Sequence, residues 1–361
     1  MKILYISPDF NYSCGVSKHV YISLKHLSND ADFKLFFITN KGDSLDRLKH
    51  IPDLNFTLMN FEKDHKNPFK LIKDFFRLLS YCKKYKIDII HTHHRYPELL
   101  SVIISKFMRI KTITTVHSFV KGMTNISFRS DKIIAVSNAV WDNLLRNYSH
   151  TKLNCTTIYN CIEESFYTRS EVDHTELRKS LGYTEVDKIL LFIGRISKIK
   201  GCDVLIDSFN KLPQNLNAKL LMIGSVSGQN INSLLEKNKK NIKLLEPQND
   251  IKPFYEISDV IVLPAIEDPF PYVMLEAGAM KKPFIGSGTG GIKEFIDDNV
   301  NGFLVKPGNR EELAQKIKFV LENPDTIKQA GEKLFDKVGE FCNCEIYSSE
   351  LKSMYNGLFR L

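Results

Sequence analysis

Residues 259–277 read DVIVLPAIEDPFPYVMLEA, a strand–loop–helix pattern that is typical of an α/β fold. The apolar run 259–264 predicts a buried strand, and the small residues of 274–280 predict a helix after a short loop. Asp268 lies in the loop and Glu276 in the helix, with seven residues between them. Open α/β sheets bind ligands at the carboxyl ends of their strands, where helix N-terminal amides suit phosphate and carboxylates accept hydrogen bonds from hydroxyls. The stretch therefore suggests a sugar-nucleotide ligand.

The same alternation of strand and helix signals runs along nearly the whole chain, which predicts parallel sheets with crossover helices. Several strand candidates are continuous Ile, Leu and Val runs, as expected of strands that are covered on both faces. The predicted class is α/β. Strands are predicted at residues 2–7, 34–39, 56–60, 87–93, 111–117, 132–137, 156–160, 188–194, 218–224, 242–245, 259–264, 283–287 and 302–305.

The chain of 361 residues is long for a single hydrophobic core, so two domains are expected. The polar, strand-poor stretch after residue 161 marks the linker. We predict an N-terminal domain over 1–165, a C-terminal domain over 166–343 and a final helix over 344–361. The final helix carries an apolar stripe and needs a surface to bury it.

Composition narrows the possible partners and compartments. A formal net charge of +8 and a pI near 8.9 favour an anionic partner. No nucleic-acid-binding motif is present, so nucleic acid is not expected as a partner. No apolar run is long enough to span a membrane, and the first residues read as a strand rather than a signal peptide. Seven scattered cysteines fit neither a zinc motif nor a disulfide framework, and favour a reducing cytoplasm.

Two cations follow the first predicted strand of the second half. Strand 188–194 runs into Arg195 and Lys200, which precedes Gly201 and a helix. At a strand's carboxyl end these cations can neutralise a diphosphate through charge-assisted hydrogen bonds. Lys198 lies in the same loop, so a solvated basic loop is the alternative.

These motifs together resemble one family. They are Gly194-Arg195 with Lys200-Gly201, Asp268 with Glu276, and the runs GGIKE (290–294) and NGFLV (301–305). Their order and spacing resemble those of the family 4 retaining glycosyltransferases. That family has the GT-B architecture. The resemblance covers the chain from end to end. It implies two Rossmann-like parallel-sheet domains that face each other across a cleft, with the C-terminal helix packing back on the N-terminal domain.

The resemblance also implies roles for residues of the second half. Arg195 and Lys200 would bind the donor diphosphate, Glu276 the ribose hydroxyls, and Asp268 would approach the sugar ring. The loop and helix start would face the sugar and phosphates, and a strand end would face the base. The residues of the loop and helix start are Phe270, Pro271, Tyr272 and Val273, and those of the strand end that would face the base are Glu246, Pro247 and Gln248.

The sequence departs from the family pattern at two of these positions. Asp268 replaces the usual Glu, which shortens the side chain by one methylene. Pro271 replaces a common Gly; proline is accepted in the first turn of a helix but removes one possible N–H donor to the ligand.

In the first half, the resemblance implies that Gly15 opens the first helix beside the donor phosphates, with Cys14 in place of the family's preceding glycine. His117, at the end of strand 111–117, would orient the reacting centre beside the donor sugar; a hydrogen-bonded strand-end histidine is the alternative. His19 is interpreted as a packed or capping residue rather than a catalyst. Asn138 is interpreted as the cap of the following helix.

Three histidines, His91, His93 and His94, stand at the end of strand 87–93. His91 and His93 would share one face, but the sequence shows no third ligand at metal-like spacing. No metal site is therefore expected, and His93 and His94 are assigned to the acceptor side.

The sequence thus predicts a metal-independent, retaining hexosyltransferase that uses a UDP- or GDP-sugar and a hydroxyl acceptor. A glycan or lipid-linked glycan of surface polysaccharide synthesis is the expected acceptor. The alternatives are a non-catalytic sugar-nucleotide-binding protein and a sugar-nucleotide epimerase of the same fold. A dehydrogenase is disfavoured because neither half has Gly-x-Gly-x-x-Gly after its first strand.

Residues 68–86 predict a helix with an aromatic stripe between basic residues, as interfacial helices have. The alternative is a crossover helix packed on the sheet with solvated lysines. In the first case the protein, though cytoplasmic, would bind the anionic inner face of a membrane.

Overall fold

The computed structural model describes residues 1–61, 68–227, 234–235 and 241–359. The chain divides into two compact units. The first unit comprises Met1–Asn160 and Cys344–Leu361, and the second comprises Cys161–Asn343. The division at Asn160 lies a few residues before the boundary expected from the linker composition.

The described residues form thirteen strands, and each strand overlaps a run predicted from the sequence. They are β1 Lys2–Ile6, β2 Lys34–Thr39, β3 Asn55–Leu58, β4 Ile89–Thr92, β5 Lys111–Val116, β6 Lys132–Ala135, β7 Cys155–Thr157, β8 Lys188–Ile193, β9 Ala218–Ile223, β10 Ile242–Leu245, β11 Val260–Leu263, β12 Phe284–Ser287 and β13 Phe303–Val305.

The α-helices of the described residues are numbered here in chain order. They are α1 Gly15–Leu27, α2 Pro68–Tyr85, α3 Arg95–Ser105, α4 Asn138–Asn147, α5 His174–Ser180, α6 Cys202–Phe209, α7 Lys252–Ile257, α8 Tyr272–Ala279, α9 Gly290–Phe295, α10 Arg310–Glu322, α11 Pro324–Phe341 and α12 Cys344–Gly357.

Each unit contains one parallel sheet. The first sheet has the strand order β3-β2-β1-β4-β5-β6-β7, and the second has the order β10-β9-β8-β11-β12-β13. Every pair of neighbouring strands is parallel. β1, β8 and β11 are mostly apolar and almost wholly buried, because helices cover both faces of a parallel sheet. β4 is buried as well, but it ends in His91 and Thr92.

The strand order reverses once in each sheet. In the first sheet the reversal lies between β1 and β4, and in the second it lies between β8 and β11. The connecting loops diverge at such a point and leave a crevice at the carboxyl ends of the strands, where Rossmann-type sheets bind their ligands. The fold therefore marks two positions for a site, one in each unit.

The terminal helix α12 belongs to the first unit. It buries one stripe of side chains that includes Tyr347 and Tyr355. The hydroxyl of Tyr355 lies 2.5 Å from that of Tyr5 in β1, and the hydroxyl of Tyr347 lies 2.6 Å from the Ser23 hydroxyl in α1. These buried hydrogen bonds fix the end of the chain on the first sheet and its first helix.

Within the described part of the chain, no helix is both long and apolar enough to cross a membrane. All seven cysteines are free thiols.

Candidate functional site

The loop after β8 is held against the loop after β11. Gly201 has φ 71°, a left-handed conformation that favours glycine, and a methyl group on it would lie 1.9 Å from the Pro264 carbonyl oxygen. The Ile266 N–H also donates to the Ile199 carbonyl at 2.9 Å. The motif Lys200-Gly201 is thus positioned directly beside the exit of β11, across the switch point of the second sheet.

Lys200 and Asp268 form an ion pair at this junction, with 2.5 Å between Nζ and Oδ2. The Asp268 side chain is 3% exposed and that of Lys200 is 27% exposed. Burial raises the pKa of Asp268 above its usual value, and the Lys200 ammonium opposes that rise. The predicted diphosphate-binding cation and the predicted sugar-facing carboxylate therefore contact each other.

Arg195 lies at the solvent-facing side of the same loop. It is exposed, and among the described residues its guanidinium makes no hydrogen bond or ion pair. A guanidinium in this position can bind an anion without breaking an existing interaction.

Glu276 is 2% exposed and lies in the second turn of α8. The buried hydroxyl of Tyr255, in α7, donates to its Oε2 at 2.5 Å. Burial first, and then the Glu276 carboxylate, raise the pKa of Tyr255 well above its usual value, so the phenol stays protonated as the donor. The sequence did not identify Tyr255, because no local spacing connects α7 with α8.

The start of α8 differs from the predicted boundary. The helix begins at Tyr272, and Pro271 precedes it in extended backbone with φ −74° and ψ 133°, not in the first turn. Phe270 and Pro271 are buried, whereas Tyr272 and Val273 are half-buried. The N–H groups of Tyr272 and Val273 belong to the first turn of α8, whose donors have no intrahelical acceptor.

The loop before α8 is closely packed. A methyl group on Gly291 would lie 2.2 Å from the Pro269 carbonyl oxygen, and the Gly291 N–H donates to the Asp268 carbonyl at 3.2 Å. The start of α9 therefore supports the Asp268 loop from behind, which explains the glycine in the GGIKE run.

Glu246 and Pro247 are exposed and directly follow the edge strand β10. The amide of Gln248 donates to the Glu246 carbonyl at 2.8 Å. The predicted contact of this segment with a nucleotide base stays a prediction.

In the first unit, Gly15 is the exposed first residue of α1 and Cys14 is its cap. His117 directly follows β5 and is half-buried. Its Nε2 lies 3.0 Å from Nδ1 of His93, which directly follows β4. Both histidines stand at carboxyl ends of strands beside the switch point of the first sheet.

His19, in α1, completes a group with these two. One ring nitrogen from each of His19, His93 and His117 lies within 4.8 Å of the others. The sequence indicated no third imidazole near His93, and that interpretation was incomplete, because the neighbours come from α1 and β5 rather than from the same strand end. His19 is buried as expected, and its Nδ1 lies 3.0 Å from the Asn160 side-chain oxygen.

The remaining histidines of this region have other surroundings. His91 is fully buried between Tyr355 and Thr115, with nitrogen–oxygen distances of 2.7 and 2.8 Å, and its role is structural. His94 is half-buried and occupies the N-cap position of α3 without a side-chain capping hydrogen bond. The interpretation of Asn138 as a cap was wrong: Ser137 caps α4 by accepting from the Val140 N–H.

Two family models match the chain. The model "Glycosyl transferases group 1" matches residues 173–335, and "Glycosyltransferase Family 4" matches residues 14–166. Among curated relatives, N-acetyl-alpha-D-glucosaminyl L-malate synthase from Bacillus anthracis is 28% identical over 303 residues, which cover 79% of this chain and 78% of the relative.

Solved structures share the fold over nearly the full length. A glycosyltransferase from Rickettsia africae ESF-5 has a TM-score of 0.88 and 26% identity, covering 99% of this chain and 98% of its own. Anabaena Alr3699/HepE in complex with UDP-glucose has a TM-score of 0.85 and 18% identity, covering 99% and 100%. The chain therefore belongs to the family 4 glycosyltransferases, enzymes of the GT-B fold that transfer glycosyl groups.

Proposed function

We propose that this enzyme transfers a hexosyl group from a UDP- or GDP-sugar to a hydroxyl acceptor, with retention of the anomeric configuration. The observation that carries the proposal is the contact of Lys200 with Asp268 across the β8/β11 switch point. Arg195 shares the loop of Lys200, and Glu276 lies on the helix that follows Asp268. The UDP-glucose bound to Anabaena HepE supports a donor of this class.

Charge develops on the diphosphate as it leaves the sugar, so groups that bind that charge lower the barrier. Arg195 is exposed and open to an anion, whereas Lys200 must exchange its contact with Asp268 for a phosphate oxygen. The first-turn N–H groups of α8 add further donors. Each preorganised donor of this kind contributes about 10²–10³-fold in rate.

The carboxylates have a different task. Tyr255 fixes the carboxylate of Glu276 in one orientation, in which it can accept hydrogen bonds from ribose hydroxyls. Asp268, once Lys200 turns to the phosphate, can accept from a hydroxyl of the sugar. We assign His117 to the orientation of the sugar, Gly15 to the approach of the phosphates, and Glu246 and Pro247 to the base.

No metal is required in this scheme. Two cationic side chains and peptide N–H groups can neutralise the diphosphate, which is the task that a divalent cation performs in other phosphate sites. The metal-free protein should therefore turn over in the presence of a chelator, measured as donor consumption with a suitable acceptor.

The central test compares three loop and helix variants. Lys200→Ala and Glu276→Ala should each lower kcat/KM for the nucleotide sugar by about 10²-fold or more, because each removes a donor-binding group. Lys198→Ala is the matched control, since Lys198 is an exposed lysine of the same loop. Near-normal turnover of Lys200→Ala or of Glu276→Ala, with the melting temperature unchanged, would refute the assignment of these residues to donor binding.

The nucleotide and sugar can be identified by thermal shift. Binding to the folded protein alone raises its melting temperature, so a panel of UDP- and GDP-sugars should yield one stabilising class. Donor hydrolysis without acceptor then separates an enzyme from a non-catalytic binder, which would show none.

We further propose that the enzyme acts in the cytoplasm at an anionic membrane surface, on a glycan or lipid-linked glycan acceptor. Helix α2 buries Leu78, Tyr81 and Cys82 in the core of the first unit, as a crossover helix does. It also leaves Phe69 82% and Phe76 59% exposed on its outer side. Lys70, Lys73 and Arg77 flank these rings, whereas Lys66 lies outside the described residues.

Vesicle sedimentation tests this surface. The protein should sediment with phosphatidylglycerol vesicles at low salt and be released at high salt, because basic residues near an anionic surface are screened by ions. Phe69→Ala/Phe76→Ala should lose this binding, and Leu153→Ala, at a residue 93% exposed elsewhere on the first unit, should retain it. Equal sedimentation of both variants would contradict the proposal.

A further inference from the structure

We propose that His19, His93 and His117 form a binding site for a divalent transition metal of the kind that accepts imidazole ligands. The three residues belong to α1, to the end of β4 and to the end of β5. The switch point of the first sheet thus brings together three imidazoles that lie far apart in the sequence. This site is distinct from the cationic group of the second unit and adds to the proposed function.

The spacing of the nitrogens suits such an ion. With metal–nitrogen bonds of about 2.0–2.1 Å, two nitrogens on a tetrahedral ion lie roughly 3.3–3.4 Å apart. Nδ1 of His93 and Nε2 of His117 are already 3.0 Å apart, and the three ligand atoms all lie within 4.8 Å of one another. Side-chain shifts of at most roughly 1.5 Å would bring all three to bonding distance of one ion.

The protonation state of the group also suits a metal, because imidazole binds a cation only when it is neutral. Burial lowers the pKa of His19 to about 4. Burial, and the neighbouring histidines, lower the pKa of His93 and His117 well below 6.5. The three rings are therefore neutral at physiological pH, and no proton has to be displaced from an imidazolium.

Asn160 selects the nitrogen that His19 offers. Its side-chain oxygen lies 3.0 Å from Nδ1 of His19 and can only accept, which places the proton on Nδ1 and a lone pair on Nε2. Tyr347 has its hydroxyl 3.0 Å from that Nε2 and can donate to it while no metal is bound. An outer oxygen that orients a ligating histidine is the usual partner in metal sites.

The two nitrogens that face each other in this group are hydrogen-bonded while no metal is bound. One of Nδ1 of His93 and Nε2 of His117 then donates to the other, so both can become ligands only when that proton moves to the other nitrogen of its ring. For His93 that other nitrogen is Nε2, which is buried and has no hydrogen-bond partner among the described residues. Half-buried His117 leaves one side of the group accessible, where a water could take the fourth position, as in three-histidine zinc sites.

Binding can be measured with the metal alone. The full-length chain, freed of metal by a chelator, is titrated with Co²⁺ and, separately, with Zn²⁺. We expect one equivalent to bind, with the d–d absorption of tetrahedral cobalt and without a sulfur-to-cobalt charge-transfer band. The absence of that band matters because the chain has seven free thiols.

Variants assign the ligands. Asn160→Ala should weaken Zn²⁺ binding about 10–100-fold, as the loss of an outer partner does, and His93→Gln should weaken it further. His50→Ala is the matched control, because His50 is exposed and lies outside the group. The melting temperature of each metal-free variant shows whether it is folded. Wild-type affinity in both His93→Gln and Asn160→Ala, or no binding of Co²⁺ by the wild type, would overturn the proposal.

Metal binding to this group should also affect glycosyl transfer, and this expectation rests on the proposed function of His117. If this residue orients the donor sugar, its ligation by a metal should inhibit transfer, and a chelator should restore activity. An enzyme that stays fully active with the site occupied would refute that role of His117, while the binding data would still test the site itself.

Discussion

At the scale of single residues, the most informative contact is that of Lys200 with Asp268. A buried carboxylate is expensive unless a cation accompanies it, and the raised pKa of Asp268 reflects that cost. The shorter Asp side chain still reaches the ammonium at 2.5 Å. The departure from the family's Glu therefore preserves a charge at this position.

This contact leads to a prediction for position 268. Asp268→Asn keeps the shape of the side chain but replaces the charged acceptor that we propose for a sugar hydroxyl by a neutral one, so we expect the KM for the nucleotide sugar to rise about tenfold or more. Asp268→Glu keeps the carboxylate and should remain within a few-fold of the wild type. Steady-state kinetics of both variants checks this. An asparagine variant as active as the wild type would show that the charge of Asp268 is dispensable.

The place of a candidate residue in the fold could be predicted where its motif is local in the sequence. Arg195, Lys200, Asp268 and Glu276 all lie within short strand–loop–helix segments, whose ends the hydrophobic pattern locates. Tyr255 and His19 act through tertiary contacts, with Glu276 and with His93 and His117. No spacing in the chain encodes such contacts. Sequence reasoning therefore did not identify Tyr255, and it interpreted His19 only as a packed or capping residue.

At the scale of elements, the strands were the best predicted feature. β2 and β10 have the predicted bounds. In β2 a continuous apolar run with polar ends identifies a buried parallel strand. Helix starts were less exact. α8 begins at Tyr272 rather than at Met274, and Ser137 rather than Asn138 caps α4, because several neighbouring residues can each satisfy a helix start.

The junction of the β8 and β11 loops can be tested through its glycine. Gly201→Ala must place a methyl group 1.9 Å from the Pro264 carbonyl oxygen in a left-handed conformation, so we expect a loss of roughly 1–3 kcal/mol in unfolding free energy and weaker donor binding. Gly339→Ala, in α11, should instead stabilise by about 0.5–1 kcal/mol, because nothing lies within 4 Å of the added methyl group. Denaturant unfolding and donor titration measure both effects. A neutral Gly201→Ala would mean that the two loops are not held together as described.

At the scale of the whole molecule, the two units differ in their buried titratable groups. The first unit buries His19, His91 and His93 as neutral rings and half-buries His117. In the second unit, burial raises the pKa of Asp268, whose protonation in acid therefore does not oppose folding. We expect the two units to respond differently to mild acid.

The direction of the pH effect on the stability of the first unit follows from the protons that the folded and unfolded states bind. The pKa of His19 falls from about 6.5 in the unfolded chain to about 4 in the folded one, so the unfolded state binds more protons between these values. The stability that the neutral ring contributes is complete above pH 6.5 and is lost as the pH falls toward 4. For His19 alone the loss amounts to roughly 3 kcal/mol. His91, His93 and His117 shift in the same direction and add to the effect.

The chain contains its own reporter for this prediction. Trp141, in α4, is the only tryptophan, so its fluorescence follows the first unit, whereas circular dichroism follows both. Between pH 6.5 and 4 the fluorescence-detected melting temperature should fall further than the temperature at which the second unit's helices are lost. His19→Gln, which cannot gain a proton in this range, should make the fluorescence-detected melting temperature fall less steeply with pH, while His91, His93 and His117 still contribute. A wild-type melting temperature that does not change with pH in this window would mean that water and protons reach these rings in the folded state. That result would contradict the burial on which both the acid response and the neutral metal-binding group depend.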